Sequence, residues 1–135
     1  MLNNVISLVA GFLLGSAVNM GLVTIGPMVI PAPEGVDVTD VESLKASAHL
    51  FEARHFLFPW LAHAMGSLVG GFVAFKLAAS HHKACAISIG AFFMIGGLMM
   101  VSMMPSPTWF IVADIGLAYI PAALLGAKLA SRSQA

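Results

Sequence analysis

Residues 56–79 read FLFPWLAHAMGSLVGGFVAFKLAA, and this stretch decides the fold. It carries no charged side chain before Lys76 and is close to the ~20 residues with which an α-helix crosses the ~30 Å hydrocarbon layer of a bilayer. Similar apolar stretches lie at 5–30, 84–104 and 109–130. Because runs this long and unalternating leave only helices, we predict an all-α integral membrane protein. The expected architecture is a four-transmembrane-helix bundle that forms one membrane domain over residues 1–135.

The composition excludes two other classes of protein. Hydrophobic residues make up 59% of the chain and charged residues 9%, whereas about a quarter of an ordinary soluble domain is charged. Six Lys and Arg balance six Asp and Glu, so no net basic field exists that could hold nucleic acid. Cys85 is the only cysteine, so neither an internal disulfide nor a paired thiol redox centre is expected.

The first apolar stretch is predicted to be a true span and not a secretory signal peptide. No Lys or Arg precedes it in the sequence. Its apolar run is also longer than the ~7–15 residues that form the hydrophobic part of a signal peptide.

The basic residues predict the orientation of the bundle. Four of the six Lys and Arg flank the connection between the second and third spans or end the fourth span; they are Lys76, Lys83, Lys128 and Arg132. The positive-inside rule places this side, and with it both chain termini, in the cytoplasm. We therefore expect a protein of the cell inner membrane whose segment 31–55 lies on the outer side. That segment has five acidic and two basic residues, a net charge of −3 with His uncharged.

The outer segment between the first two spans predicts a short amphipathic helix. Thr39-x-x-Glu42 has the spacing of a capping box, in which two side chains satisfy backbone N–H groups at a helix start. Apolar residues follow at spacings of three and four, the stripe of an amphipathic helix. The stripe consists of Val41, Leu44, Ala48 and Phe51. We predict a helix from Asp40 to Arg54 at the outer membrane surface.

This surface helix has two interpretations. It serves as a lid or spacer, since surface amphipathic helices are common and carry no chemistry by themselves. Alternatively, it gates what reaches the bundle, and its polar residues would then form the gate. These residues are Asp40, Glu42, His49, Glu52 and His55. His49, Glu52 and His55 recur every third position, but no clear carboxylate set faces them, so no metal site is predicted here.

Polar side chains inside the spans carry the functional question, since a polar group in hydrocarbon is costly and usually faces protein or water. Counting about 1.5 Å per residue from the outer helix ends gives one layer about 8–10 Å deep. It consists of Thr24, His63 and Asp114. A second layer about 15–16 Å deep, near the midplane, consists of Asn19, Ser67 and Tyr119. We predict that these six side chains form a polar intramembrane site.

Two patterns predict that His63 and Asp114 meet inside the bundle. Small residues that let backbones approach share a helix face with the polar groups. These faces hold Gly11, Gly15, Asn19 and Gly26 in the first span, and His63, Gly66, Ser67 and Gly70 in the second. Pro-x-Pro and Lys-Leu-Ala motifs also end corresponding spans of the two hairpins, and under this weak repeat His63 corresponds to the residue after Asp114. The pair is interpreted either as a proton-titratable site or as a hydrogen bond that staples two helices.

Methionines of the third span suggest a metal function. Met99 and Met103, like Met100 and Met104, lie one helical turn apart. This Met-x-x-x-Met spacing resembles the pore motif of copper permeases, because thioethers suit Cu(I). The resemblance covers five methionines, including Met94, and implies copper or other metal handling with Met99 and Met103 as candidate ligands. Methionine also fills irregular gaps between helices.

No cofactor is predicted, because bis-His haem would need histidines from two spans and only His63 lies within one. Two functions remain. The first is an oligomeric transporter or channel for a small solute, proton or cation, since four helices enclose little room for a path and small-residue faces favour association. The alternative is a non-catalytic accessory or assembly subunit of a larger membrane complex. The sequence has no phosphate loop, nucleophile elbow or zincin motif, so an enzyme is the least favoured class.

Overall fold

The computed structural model describes residues 2–133, and 82% of the chain is helical. No strand occurs within this range. Four helices are long and apolar enough to cross a membrane, as the sequence predicted. They are Leu2–Val29, Ala53–Leu77, His82–Met103 and Thr108–Arg132.

Six α-helices lie between residues 2 and 133 and are labelled in chain order. They are α1 (Leu2–Val29), α2 (Val41–Ala46), α3 (Leu57–Leu77), α4 (His82–Met103), α5 (Thr108–Ala113) and α6 (Ile120–Arg132). A turn of π-helix, Asp114–Ala118, joins α5 to α6. These three elements together form the fourth long helix.

Helix α3 lies at the centre of the bundle and packs against α1, α4 and α6. Helix α1 contacts α3 along much of its length and touches α4 far less. The α1–α4 contact includes Phe12, whose ring lies 5.0 Å from the ring of Phe92 and 5.7 Å from that of Phe93. We call the end of the bundle that carries residues 31–55 the outer end, and the opposite end the inner end.

Glycines let α1 and α3 approach until their backbones touch. A Cβ on Gly15 would lie 2.6 Å from the carbonyl oxygen of Gly66, and a Cβ on Gly11 would lie 2.6 Å from that of Gly70. Neither position has room for a side chain. Close backbone approach of this kind stabilises helix pairs through van der Waals contact, which does not require a hydrophobic driving force between them. The predicted small-residue faces therefore do pack against each other.

The distribution of apolar residues is the reverse of that in a water-soluble bundle. Small residues such as Ala62, Ala74, Ala86 and Ala123 fill the interior, and all four are fully buried. Large aliphatic and aromatic side chains cover the outside of the long helices instead. A soluble monomer rarely exposes so large a continuous apolar surface, whereas lipid tails accept it.

At the inner end, a side chain from α1 hydrogen-bonds to the connection between α3 and α4. The Asn4 amide nitrogen donates to both the carbonyl and the hydroxyl oxygen of Ser80 over 3.1 Å. Its amide oxygen accepts from the backbone N–H groups of Ala79 and Ser80 at 3.0 and 3.3 Å. Asn4 thereby satisfies backbone groups that the chain exposes between α3 and α4.

The start of the outer helix differs from the predicted capping box. The capping residue is Asp40, whose carboxylate accepts from the N–H groups of Glu42 and Ser43 at 3.2 and 3.1 Å. The Thr39 hydroxyl donates instead to Asp37 over 2.7 Å. This bond and that from the Thr39 backbone hold the pKa of the Asp37 carboxyl below its usual value. Asp and Thr are both favoured as N-cap residues, so the Thr-x-x-Glu spacing alone placed the cap one residue too early.

The prediction of one continuous helix from Asp40 to Arg54 was wrong. Helix α2 ends at Ala46, and two 3-10 turns follow at Ala48–Leu50 and Ala53–Phe56. Glu52 and His55 form a capping box of their own, in which the Glu52 N–H donates to His55 Nδ1 over 2.9 Å. Local bonds between side chain and backbone compete with helix propagation, and here they interrupt the stripe.

The close approach of α1 to α3 predicts different outcomes for two glycines of the same helix. Gly15→Ala should lower the thermal stability, because its Cβ would meet the Gly66 carbonyl oxygen at 2.6 Å. Gly21→Ala meets nothing within 4 Å and should be neutral or stabilise by up to about 1 kcal/mol through helix propensity. Thermal unfolding of both purified variants in mild detergent measures the difference. An equal loss of stability in the two variants would contradict this packing.

Candidate functional site

His63, Asp114 and Tyr119 form a hydrogen-bonded cluster between α3 and the π turn. The His63 Nδ1 atom lies 2.8 and 3.0 Å from the two carboxylate oxygens of Asp114. The Tyr119 hydroxyl donates to Asp114 Oδ2 over 2.9 Å and lies 2.9 Å from His63 Nδ1. The predicted contact between His63 and Asp114 is therefore present, and Tyr119 joins it directly.

The three side chains differ in their access to open space. Asp114 is 2% exposed and Tyr119 is 1% exposed, whereas the His63 side chain is 22% exposed. A buried carboxylate is costly unless both of its oxygens are hydrogen-bonded, and here both are. Of the three side chains, the imidazole is therefore the most accessible to a molecule that enters from outside.

Asp114 determines which ring nitrogen of His63 carries the proton. A carboxylate only accepts hydrogen bonds, so Nδ1 is the N–H that points at Asp114. In the neutral ring Nε2 is then unprotonated, and no residue from 2 to 133 hydrogen-bonds to it. A carboxylate that orients an imidazole in this way leaves the far nitrogen ready to accept a proton or a hydrogen bond.

Pro121 explains the π turn that positions two members of the cluster. Proline lacks an N–H, and in a regular helix its ring would clash with the carbonyl of Leu117. The chain avoids this clash with the π turn and with a non-helical Tyr119 at φ −111° and ψ −86°. In an α-helix, residues five apart point about 140° away from each other. The π turn instead lets Asp114 and Tyr119 face His63 together.

Two further residues hold the cluster in place. The Trp60 indole N–H donates over 3.2 Å to the carbonyl of Ala113, which ties α3 to the residue before Asp114. On the other side, α4 approaches so closely that a Cβ on Gly97 would overlap the Tyr119 hydroxyl. Because Gly97 has no side chain, it leaves room for the phenol of Tyr119.

A cavity of about 380 Å³ opens above the cluster. Its floor includes His63 and Asp114, and its two long walls are the outer halves of α1 and α4. Leu44, Ala48 and Phe51 of the outer segment form its roof. The volume lies within the roughly 300–1,000 Å³ range of small-molecule sites. The predicted apolar stripe thus contributes three residues to this roof, whereas Val41 lies exposed.

The other predicted intramembrane residues lie outside the cluster. Thr24 is exposed on α1, and its hydroxyl donates to the Met20 carbonyl of its own helix over 2.8 Å. Asn19 is half-buried beside Gly66. Ser67 is fully buried, and its hydroxyl finds no hydrogen-bond partner in the described chain. Counting residues from the helix ends grouped Thr24 with His63 and Asp114, but Thr24 points half a turn away from the α1 face that meets α3.

The predicted outer gate contributes one residue to the cavity, His55. Asp40 caps α2, and Glu42 pairs with Lys45 at 3.1 Å. Glu52 pairs with Arg54 at 3.0 Å, and His49 lies exposed. The three acidic residues are thus held by bonds within the outer segment.

The methionines of α4 divide between two faces. Met100 and Met104 line the cavity, whereas Met99 and Met103 are exposed on the outside of the helix. Between residues 2 and 133 no group of three His, Cys, Asp or Glu side chains could hold a metal ion. The predicted pair Met99 and Met103 is exposed and does not line the cavity.

Comparison of the chain with protein-family models, with curated proteins and with solved structures gives no match.

The contact between α4 and Tyr119 predicts different outcomes for two neighbouring glycines. Gly97→Ala should displace the Tyr119 hydroxyl and lower the stability by about 1–3 kcal/mol, as overpacking does. It should also shift the ring ¹⁵N resonances of His63, because Tyr119 would leave Nδ1. Gly96→Ala meets nothing within 4 Å and should leave both quantities unchanged. Unaltered His63 resonances in Gly97→Ala would show that Tyr119 is not held there.

Proposed function

We propose that this chain is an integral protein of the inner membrane and that it transports a small solute with the help of a proton held by His63. The observation that carries this proposal is the cavity that reaches from the outer segment to the buried His63–Asp114 pair. Ionisable groups within spans are costly and commonly mark a path for a proton or solute. The proposal includes a cytoplasmic location for both termini.

The surface of the bundle supports the membrane location. Exposed large apolar side chains follow all four long helices. Lys76, Lys83, Lys128 and Arg132 lie at the inner end or near it, where the positive-inside rule expects the cytoplasm. The acidic residues of segment 31–55 then face the outer side.

The packing below the cluster favours a carrier over a channel through one bundle. Towards the inner end, a Cβ on Gly71 would meet the backbone of Ala123 at 2.7 Å. Gly126 likewise abuts the backbone of Leu68. These contacts leave no room for a continuous path between α3 and α6. Transport would therefore require a change in conformation or a path formed between copies of the chain, and we propose an oligomer for this reason.

Protonation of His63 changes the charge of the site by one unit. With a neutral ring, the pair carries the single negative charge of Asp114. With a protonated ring, the pair is neutral overall. In a low-dielectric environment such a change alters which molecules can enter, so proton binding and solute binding would be coupled.

The open cavity favours transport over the role of an accessory subunit. A subunit that only packs against a larger complex requires a polar layer that is satisfied and dry. Here His63 instead lines a cavity of ligand size.

The role of Asp114 can be tested in liposomes that contain a pH-sensitive dye. Asp114→Asn keeps the shape of the side chain but removes the negative charge that balances a protonated His63. We expect proton flux under an imposed gradient to be lost, while expression and oligomeric state stay near those of the wild type. Ser88→Ala is the control, since this exposed hydroxyl bonds only to Ala84 of its own helix. Unchanged flux together with lower thermal stability would show that the pair is merely a staple.

The orientation can be tested by labelling single cysteines with a membrane-impermeant maleimide. The background is Cys85→Ala, because Cys85 is the only native cysteine. Glu34→Cys should react from the outside of intact cells, and Lys83→Cys only after the membrane is opened. The reverse pattern would overturn the proposed orientation.

A further inference from the structure

The charges that line the cavity select the kind of ligand that can enter. Among its lining residues, all of which lie within the described chain, Asp114 is the one carboxylate and none is Lys or Arg. The remaining titratable side chains on the lining are His55 and His63. With both rings neutral the cavity holds one negative charge. An anion would meet like charge without compensation, whereas a cation would neutralise it.

The walls of the cavity suit an apolar ligand that carries a positive charge. Four phenylalanine rings contribute to the lining: Phe51, Phe56, Phe58 and Phe110. Phe56 and Phe110 pack together with ring centroids 4.8 Å apart. Aromatic faces attract organic cations, and the attraction is strongest where water is excluded. Most of the other lining side chains are aliphatic residues and methionines, which give shape but no hydrogen bonds.

From these observations we infer that the cavity binds a small lipophilic organic cation, and that this cation and a proton on His63 exclude each other. The ligand has an apolar body and one quaternary or protonated amine. This inference rests on the role proposed above for the cavity as a solute site, and it names the class of solute.

Mutual exclusion follows from the groups that face His63. Asp114 and Tyr119 face it from the fourth long helix, and His55 lies on the same cavity from the outer segment. Helices α1 and α4 contribute no charged or titratable side chain to the lining. Protonation of His63 therefore cancels the one negative charge, and a cation that then enters would leave the apolar cavity with a net charge of +1.

The sign of the pH dependence follows directly. At low pH the ring is protonated and the organic cation is excluded. As the pH rises and the ring loses its proton, the negative charge returns and the affinity for the cation increases. A protein that releases a proton when it takes up a cation has the logic of an exchanger, in which the two ions move in opposite directions.

The test uses two probes of the same shape and different charge. Phenethyltrimethylammonium has a permanent positive charge, so its own titration cannot produce a pH effect. Its uncharged isostere is (3,3-dimethylbutyl)benzene, in which a carbon atom replaces the nitrogen. Binding of both to the full chain in nanodiscs is measured by equilibrium dialysis at pH 5 and pH 8, with empty nanodiscs correcting for partition into lipid.

We expect the cation to bind at least about tenfold more tightly at pH 8 than at pH 5, since a single opposite charge in an apolar site is worth more than this factor. The isostere should bind more weakly at pH 8 and show no pH dependence. Asp114→Asn should lose most of the affinity for the cation and keep that for the isostere. Ser88→Ala should behave as the wild type does.

Each failure has a distinct meaning. If the isostere binds as tightly as the cation at both pH values, the cavity is a site for neutral lipophilic molecules and the inference is overturned. If the cation binds equally at both pH values, mutual exclusion with the proton is refuted. Proton flux without cation binding would overturn this inference and leave the proposed transport role standing. Cation binding without proton flux in liposomes would support this inference and contradict the proposed transport role.

Discussion

The buried carboxylate of Asp114 is the constraint on which the rest of this structure depends. Asp114 is 2% exposed and lies among apolar helices. A carboxylate in such a place is tolerable only when each of its oxygens has a hydrogen-bond partner. One partner, His63, belongs to the central helix α3, and the other, Tyr119, belongs to the same long helix as the carboxylate. The two helices must therefore meet at this depth and in this rotation, and the tight Gly and Ala contacts of α3 make such an approach possible.

The irregular part of the fourth long helix follows from the same constraint. A regular helix would separate Asp114 from Tyr119 around its axis, and Pro121 prevents a regular helix at this point. The π turn resolves both problems at once, since it removes the proline clash and brings both side chains to His63. Gly97 of α4 then provides the space for the phenol. Proline, π turn and glycine are thus three parts of one local solution.

Much of the fold and part of the site could be predicted from the sequence. Apolar length alone gives the four long helices. Depth counting, the small-residue helix faces and the weak repeat together predict that His63 and Asp114 meet. Depth carries no information about rotation, which is why Thr24 was included in a layer that it faces away from. Tyr119 was placed one layer below Asp114, because counting assumed a regular helix. Pro121 was the visible signal that this assumption fails. The outer helix was predicted too long, since apolar residues at spacings of three and four do not show where side-chain caps will interrupt a helix.

Because Asp114 is buried, the atoms that set the charge of the cavity differ from the atoms that a ligand in the cavity would contact. The carboxylate sets the charge of the cavity, yet its oxygens are occupied by His63 and Tyr119, so a ligand has little direct contact with it. A ligand in the cavity would instead contact the exposed part of the His63 imidazole and the apolar walls. In the proposed transport role, selection by charge would therefore act across the imidazole ring and would change whenever that ring gains or loses a proton. A site built in this way needs no second titratable group to couple its occupant to pH, because the orienting carboxylate and the proton acceptor already form one unit.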